Sequence, residues 1–326
     1  MNNAWAVFRR GLRISFVFLF LFSYASAAEP RKITFGYSTV GAMALGAWMA
    51  KEIGAFERYG LQANLIYIAS GPVVVQALLG GDLHGGIGAS NAVINAVLNG
   101  APIVGVAEVA NRPYHRLYVQ PEINRIEDLR GKSLGVTRFG SVTDNLTRIL
   151  LRKNGLEGAV TVRQLGGIPE VGAAFQQRVI AGAVTAELRV DALVPAKVLV
   201  RLVDLAIAYS MNMIVVSRDY YHRNPDVVER MVRAYIEGVA ALHHQRETAL
   251  KTVAKYSRLV DPKRAEQIHK DGLTYLVRAP RVDPEAVLTI LEFMGKKGVP
   301  VETFADNSIL DRLAREGFID KLYKGR

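Results

Sequence analysis

The feature that most constrains the fold is a series of short landmarks that runs once through the chain and then starts again. Phe35-Gly36-Tyr37-Ser38 is answered by Leu134-Gly135-Val136-Thr137, at an offset of 99 residues. Ala69-Ser70-Gly71-Pro72 is answered by Gly166-Gly167-Ile168-Pro169, at an offset of 97. Ala77 to Ser90 is answered by Ala174 to Glu187 at that same offset, with Ile87 level with Val184. Few letters are shared, so the agreement is one of pattern. Three landmarks in order at nearly constant spacing predict two lobes of one topology.

Within each round, short apolar runs alternate with amphipathic stretches, the signature of βαβ units and a parallel sheet. The fold class expected is therefore α/β, with two doubly wound lobes. Strands are predicted over 33–37, 65–68, 85–88 and 103–109, and helices over 45–59, 72–79 and 91–98. Past Asp204 the pattern changes. One more apolar run covers 205–217, and from Asp226 the chain reads as helices to its end. Asn224-Pro225-Asp226, Asp261-Pro262 and Val282-Asp283-Pro284-Glu285 are helix starts, with an Asn or Asp cap ahead of proline. The stretches 227–242 and 287–294 carry apolar residues at helical spacing. The whole tail reads as packing for a sheet.

The first 27 residues read as a cleaved export signal. Arg9, Arg10 and Arg13 precede an apolar run from Ile14 to Phe22, and Ala25-Ser26-Ala27 supplies small residues for a signal peptidase. That run is short for a bilayer core of about 30 Å; a retained N-terminal anchor is the competing reading. The expected product is periplasmic. With no cysteine there is no disulfide, thiolate metal site or acylated cysteine. Removing the three leader arginines lowers the formal charge from +11 to +8. The remaining basic residues are scattered without aromatic interleaving, so no nucleic-acid partner is expected.

In open doubly wound sheets, ligands bind beyond the carboxyl ends of the strands, where helix N-termini face a crevice. That rule selects Ser38, Thr39, Ser70, Gly71, Ser90 and Asn91 from the first lobe. From the second it selects Arg138, Gly140, Ser141 and Thr143, together with Gly166, Gly167 and Thr185 to Glu187. Gly140-Ser141-Val142-Thr143-Asp144 lies between a strand and a helix, where a hydroxyl and backbone N–H groups can hold an oxyanion. A plain helix N-cap accounts for the same residues, and both readings stand for Ser90 and Asn91 as well. Glu187 either receives a donor on the ligand or pairs with Arg138 or Arg189. No nucleophile elbow and no P-loop occur. Gly86-Ile87-Gly88 has Asn91 where the third glycine of a dinucleotide fingerprint should stand. The six histidines show no ligand-pair spacing, His243 and His244 pointing about 100° apart on a helix. No catalytic residue, metal or cofactor is expected.

Four stretches resemble the substrate-binding proteins of ABC importers, in the sulfonate, taurine, nitrate and thiamine-precursor group. They are Glu52 to Leu61, Ser70-Gly71-Pro72 on to Gly88, Ile126 to Val136, and Asn224 to Val228. The resemblance implies the type II periplasmic binding fold, a hinge between the lobes, and a monomer that hands a small-molecule solute to ABC permease membrane subunits. It implies crossings near 108–116 and 205–211, hence one lobe of 28–110 with 210–326 and another of 111–209. Carried over by position, ligand contacts fall on Ser38, Thr39, Ser70, Gly71, Ser90, Asn91, Ser141 and Thr143. Two departures put plain sulfonate or nitrate specificity in question: the stretch 175–182 lacks the usual Gly-Glu/Asp-Val-Asp ending, and Glu187 stands at a cleft position. An enzyme on the same fold, thiamine-pyrimidine synthase-like or a small-acid lyase, and a periplasmic sensor subunit are the alternatives. The first lacks its cysteine-rich motif here.

Overall fold

The computed structural model describes residues 29–186, 195–205, 208–258 and 261–324. The predicted leader (1–27) and Glu187 lie outside the described residues. The first round of the pattern forms β1 (Arg31–Tyr37), α1 (Leu45–Glu52), α2 (Ala55–Arg58), β2 (Leu61–Tyr67), α3 (Gly71–Leu79), β3 (Gly85–Ala89), α4 (Ser90–Leu98) and β4 (Ile103–Ala110). The helix predicted over 45–59 is thus two helices. Gly54, at φ 68°, is in the left-handed region and turns the chain between them.

After β4 the chain enters β5 (Arg116–Val119) and repeats the plan. It forms β6 (Ser133–Val136), α5 (Val142–Lys153), β7 (Thr161–Gln164), α6 (Ile168–Gln176), β8 (Gly182–Thr185) and β9 (Lys197–Arg201). It then returns as β10 (Asn212–Ser217). Among the described residues seven α-helices follow: α7 (Arg218–Arg223), α8 (Pro225–His244), α9 (Arg246–Ser257), α10 (Pro262–Tyr275), α11 (Pro284–Phe293), α12 (Ser308–Arg315) and α13 (Phe318–Tyr323).

The strand orders are β2-β1-β3-β10-β4 and β7-β6-β8-β5-β9, one plan used twice. Registers agree residue by residue with the sequence offsets. Phe35 pairs Gly85 and Leu65 in the first sheet, and Leu134 pairs Gly182 and Val162 in the second. The N-caps of α3 and α6, Ser70 and Gly167, are also 97 residues apart. The lobes differ from the parallel expectation in one strand each: β10 runs antiparallel to β3 and β4, and β5 antiparallel to β8 and β9. These are the strands that arrive directly from the other lobe. Each enters at the crevice edge, where the parallel strands end, and must run the opposite way.

The tail helices complete the first lobe. Helix α8 crosses α1 closely, and Trp48 of α1 stacks on Tyr256 of α9 with ring centres 5.2 Å apart. The edge strand β4 is covered from the C-terminal side, Gly105 N–H donating to Phe304 O and Asp306 N–H to Gly105 O. Burial of Trp48, Phe35, Phe56 and Phe304 on both faces of the first sheet forms the larger part of the core. A smaller cluster of Val171, Phe175, Ile180 and Ala183 lies under α6.

Candidate functional site

A cavity of about 450 Å³ lies between the facing edges of the two sheets. Its first wall is made where β1, β2 and β3 end: Ser38, Thr39, Ser70, Gly71 and Ala89 line it. Its second wall is made where β6 and β8 end, by Thr137, Ser141, Thr143 and Thr185. Tyr67 and Tyr118 contribute rings from opposite lobes, and Ile168 and Pro169 add apolar surface at the start of α6.

Helix α3 opens onto this space with no side-chain cap, and Ser70 Oγ is buried without a hydrogen-bond partner. Gly71 is required for close approach. An added Cβ would stand 2.9 Å from the Ala89 backbone N, so a side chain there would push α3 off the end of β3. On the other side, the hydroxyls of Thr137, Ser141 and Thr143 form a closed triangle with edges of 3.0, 2.8 and 3.1 Å. The Thr137 N–H donates to Thr143 Oγ1 at 3.0 Å, and the Asp144 N–H to Ser141 Oγ at 3.3 Å.

A hydroxyl has one proton and two acceptor positions. Ser141 receives the Asp144 N–H and the Thr137 hydroxyl, so both its acceptor positions are filled. Thr143 receives the Thr137 N–H and, when Ser141 donates to it, is filled as well. With the Ser141 proton given to Thr143, what the pair can still offer is the Thr143 proton. Toward the cavity this pair therefore presents a single donor, at the positive end of a 12-residue helix. Such a wall accepts an oxyanion and disfavours a donor.

Several predicted residues stand elsewhere. Gly140 is not on the cavity wall: its N–H donates to Asp144 Oδ2 at 2.9 Å, and its carbonyl accepts from Asn91. Arg138 is also off the wall; its carbonyl accepts the Ser141 N–H. Asn91 is buried and spans the lobes, Nδ2 donating to Gly140 O at 2.8 Å and Ser141 O at 3.2 Å. Ser90 is wholly buried behind the wall, 2.7 Å from Ser210 Oγ. Ser210 Oγ in turn lies 2.9 and 3.0 Å from the two oxygens of Glu108. Burial pushes the Glu108 carboxyl well above its ordinary range; Ser210 pulls it back in part, and nearby Asp283 adds to the rise. Glu108 and Ser210 belong to the two crossings, so Ser90 is part of the hinge.

The cavity also draws on residues outside the sequence expectation. Helix α10, read from sequence as packing, supplies Arg264, Gln267, Ile268 and Asp271 to the wall. Their three-, four- and seven-residue spacing puts them on one helical face, a signal present in the sequence. Asp271 lies 4.0 Å from Arg116 of the second lobe, and Gln267 donates to Asp271 at 2.8 Å. Burial raises the Asp271 carboxyl against the pull of Gln267 and Arg116.

His115, beside Arg116, is 5% exposed and packs on Tyr114 with ring centres 4.6 Å apart. Burial, then the Arg116 charge, pushes its imidazole down to about 3. The unfolded chain takes up this proton below pH 6.5 while the folded protein does not, so stability is full at high pH and falls as pH drops through that window. From this residue alone, the protein should be about 2 kcal/mol less stable at pH 5 than at pH 8. Urea unfolding of His115→Gln at both pH values checks this. The gap should narrow by that amount, and an unchanged gap would refute the assignment.

Comparison with known proteins bears on the fold and the family. A family model described as NMT1/THI5 like matches residues 43–249. The ligand-binding component of an ABC-type import system from Staphylococcus aureus, solved with zinc bound, superposes with a TM-score of 0.69 at 14% identity, covering 86% of this chain and 98% of that one. The alkanesulfonate-binding protein SsuA from Xanthomonas axonopodis pv. citri, bound to MOPS, gives 0.67 at 19% identity, covering 92% and 96%. A curated protein of Brucella abortus (strain 2308), described only at the level of a binding protein, is 33% identical over 109 residues. The chain spans about a third of the length of the curated relatives it matches.

Proposed function

The chain belongs to the NMT1/THI5-like family, and from that premise we propose that it is a periplasmic solute-binding protein of an ABC importer. In this reading it captures a small organic anion, a sulfonate, carboxylate or similar, and delivers it to the permease. It performs no catalysis. One observation carries the anion: with Ser141 donating to Thr143, the acceptor positions of both hydroxyls are filled and the Thr143 proton is what the pair can offer the cavity. The solute neighbours support the capture role, since SsuA and the import component are ligand-binding proteins of the same fold.

The mature chain would begin after Ala27. One lobe would comprise 28–110 with 210–326, the other 111–209, and the protein would act as a monomer. Closure buries the solute because it then contacts both walls at once, contacts the open form lacks. Native mass spectrometry of freshly purified protein should reveal a co-purified anion of a few hundred daltons or less. A thermal-shift panel of sulfonates, carboxylates and neutral pyrimidines then orders the class. A solute at 100 times its Kd stabilises by about 2.7 kcal/mol. Stabilisation by neutral pyrimidines and by no anion would overturn the reading.

A further inference from the structure

Helix α4 begins between the hinge and the cavity, and its second residue reaches across to the other lobe. Ser90, the first residue, is tied to two successive residues of the returning crossing, through Ser210 Oγ and through its N–H to Met211 O at 3.2 Å. Asn91, the second, is 2% exposed and directs Nδ2 at two carbonyls of the second lobe, Gly140 and Ser141. The amide orientation is fixed by those partners, because the flipped form would set Oδ1 against both carbonyls. Its Oδ1 is buried without a partner, so the residue is held by what it donates across the gap. Ser141 is the N-cap of α5 and a corner of the hydroxyl triangle.

We infer that Asn91 is a latch: a positioning residue that touches no solute, fastens the first lobe to the loop carrying Ser141, and stabilises the closed arrangement. This rests on the binding reading above. Two hydrogen bonds from one amide form only when the lobes approach, so their free energy enters the equilibrium between open and closed forms. Anchoring of Ser90 to the hinge means that α4 moves with the first lobe and presents Asn91 to the second as the cleft closes. Sequence position suggested a solute contact for Asn91. Its geometry gives it a partner inside the protein.

Asn91→Asp separates this role from a structural one. Aspartate at the second position of a helix favours the helix, so α4 should be as stable or more so. At the latch, however, its carboxylate would face two carbonyls and repel them. The absence of native cysteine allows clean labelling at Leu79→Cys and Val179→Cys, exposed sites at the end of α3 and in the turn after α6, on opposite lobes. Pulsed electron spin resonance on ligand-free protein should show a longer, broader label distance in Asn91→Asp, and in Asn91→Ala to a smaller degree, with melting temperature maintained. Kd for methanesulfonate should rise about tenfold, as loss of two hydrogen bonds from the closed state predicts. An unchanged distance distribution in folded Asn91→Asp overturns the latch. If the distances change but neither protein takes up methanesulfonate or any other anion, the latch stands and the binding reading falls.

Discussion

Gly238→Ala should lower the melting temperature by about 6 °C or more, although alanine is the better helix former. On propensity alone the change, in the middle of α8, favours the folded state by about 1 kcal/mol. Packing reverses the sign. An added Cβ would drive into the carbonyl oxygen of Gly46 and stand 2.6 Å from the Ala50 backbone N. Both are main-chain atoms of α1, which cannot turn aside as a side chain can. The helices would have to separate, exposing the contact between α8 and the buried Leu45–Ala50 face of α1. Overpacking of this kind costs about 3 kcal/mol or more where backbone must move, and about 2 °C is lost per kcal/mol in a chain of this size. Gly41→Ala is the control. Its backbone is extended at φ 173°, nothing lies within 4 Å of the added carbon, and its melting should be unchanged. Scanning calorimetry of the two variants decides the matter; a higher melting temperature for Gly238→Ala would mean that α1 and α8 do not cross at these glycines.

The lobes were legible in sequence because parallel pairing and landmark spacing are the same information. Once Phe35 answers Leu134 and Ile87 answers Val184, the register Phe35–Gly85 implies Leu134–Gly182, as found. The direction of β5 and β10 was not legible. A run of apolar residues looks the same whichever way it is threaded, and only the crossing decides. The hinge cluster was invisible for a related reason: Glu108 and Ser210 are 102 residues apart, and neither carries a local signal of its partner. Ser90 and Asn91 show the limit at the site. A polar pair at the start of a helix is predicted correctly as helix start, yet nothing local says whether it faces the crevice, the hinge or the other lobe. Conversely, the one-face spacing of Arg264, Gln267 and Asp271 was readable, and the surrounding tail of packing helices concealed it.

The Ser141→Ala/Thr143→Val double variant should bind the native solute about 10- to 100-fold more weakly. The pair keeps one proton for the solute, and a hydrogen bond to a charged group contributes about 1.5–3 kcal/mol, which spans about a tenfold to a hundredfold change in Kd. Both substitutions are needed because the triangle can re-form its hydrogen bonds. With Ser141 removed, the Thr143 proton is still free to turn toward an oxyanion, so single changes should sum to less than the double. Part of the loss will be structural. Thr143→Val leaves the buried Thr137 N–H without its acceptor, a cost of about 1–3 kcal/mol in stability. Thr147→Val separates the two effects. Thr147 sits one turn further along α5, wholly buried, donating to Thr143 O at 2.6 Å, and it is off the cavity wall. It should lose comparable stability and keep its affinity. Calorimetric titration of the three proteins with the anion recovered from the native one gives the answer. If the double variant stays within threefold of the parent, the hydroxyl triangle is only a helix cap, and the anion is held by the uncapped start of α3 and the arginines instead.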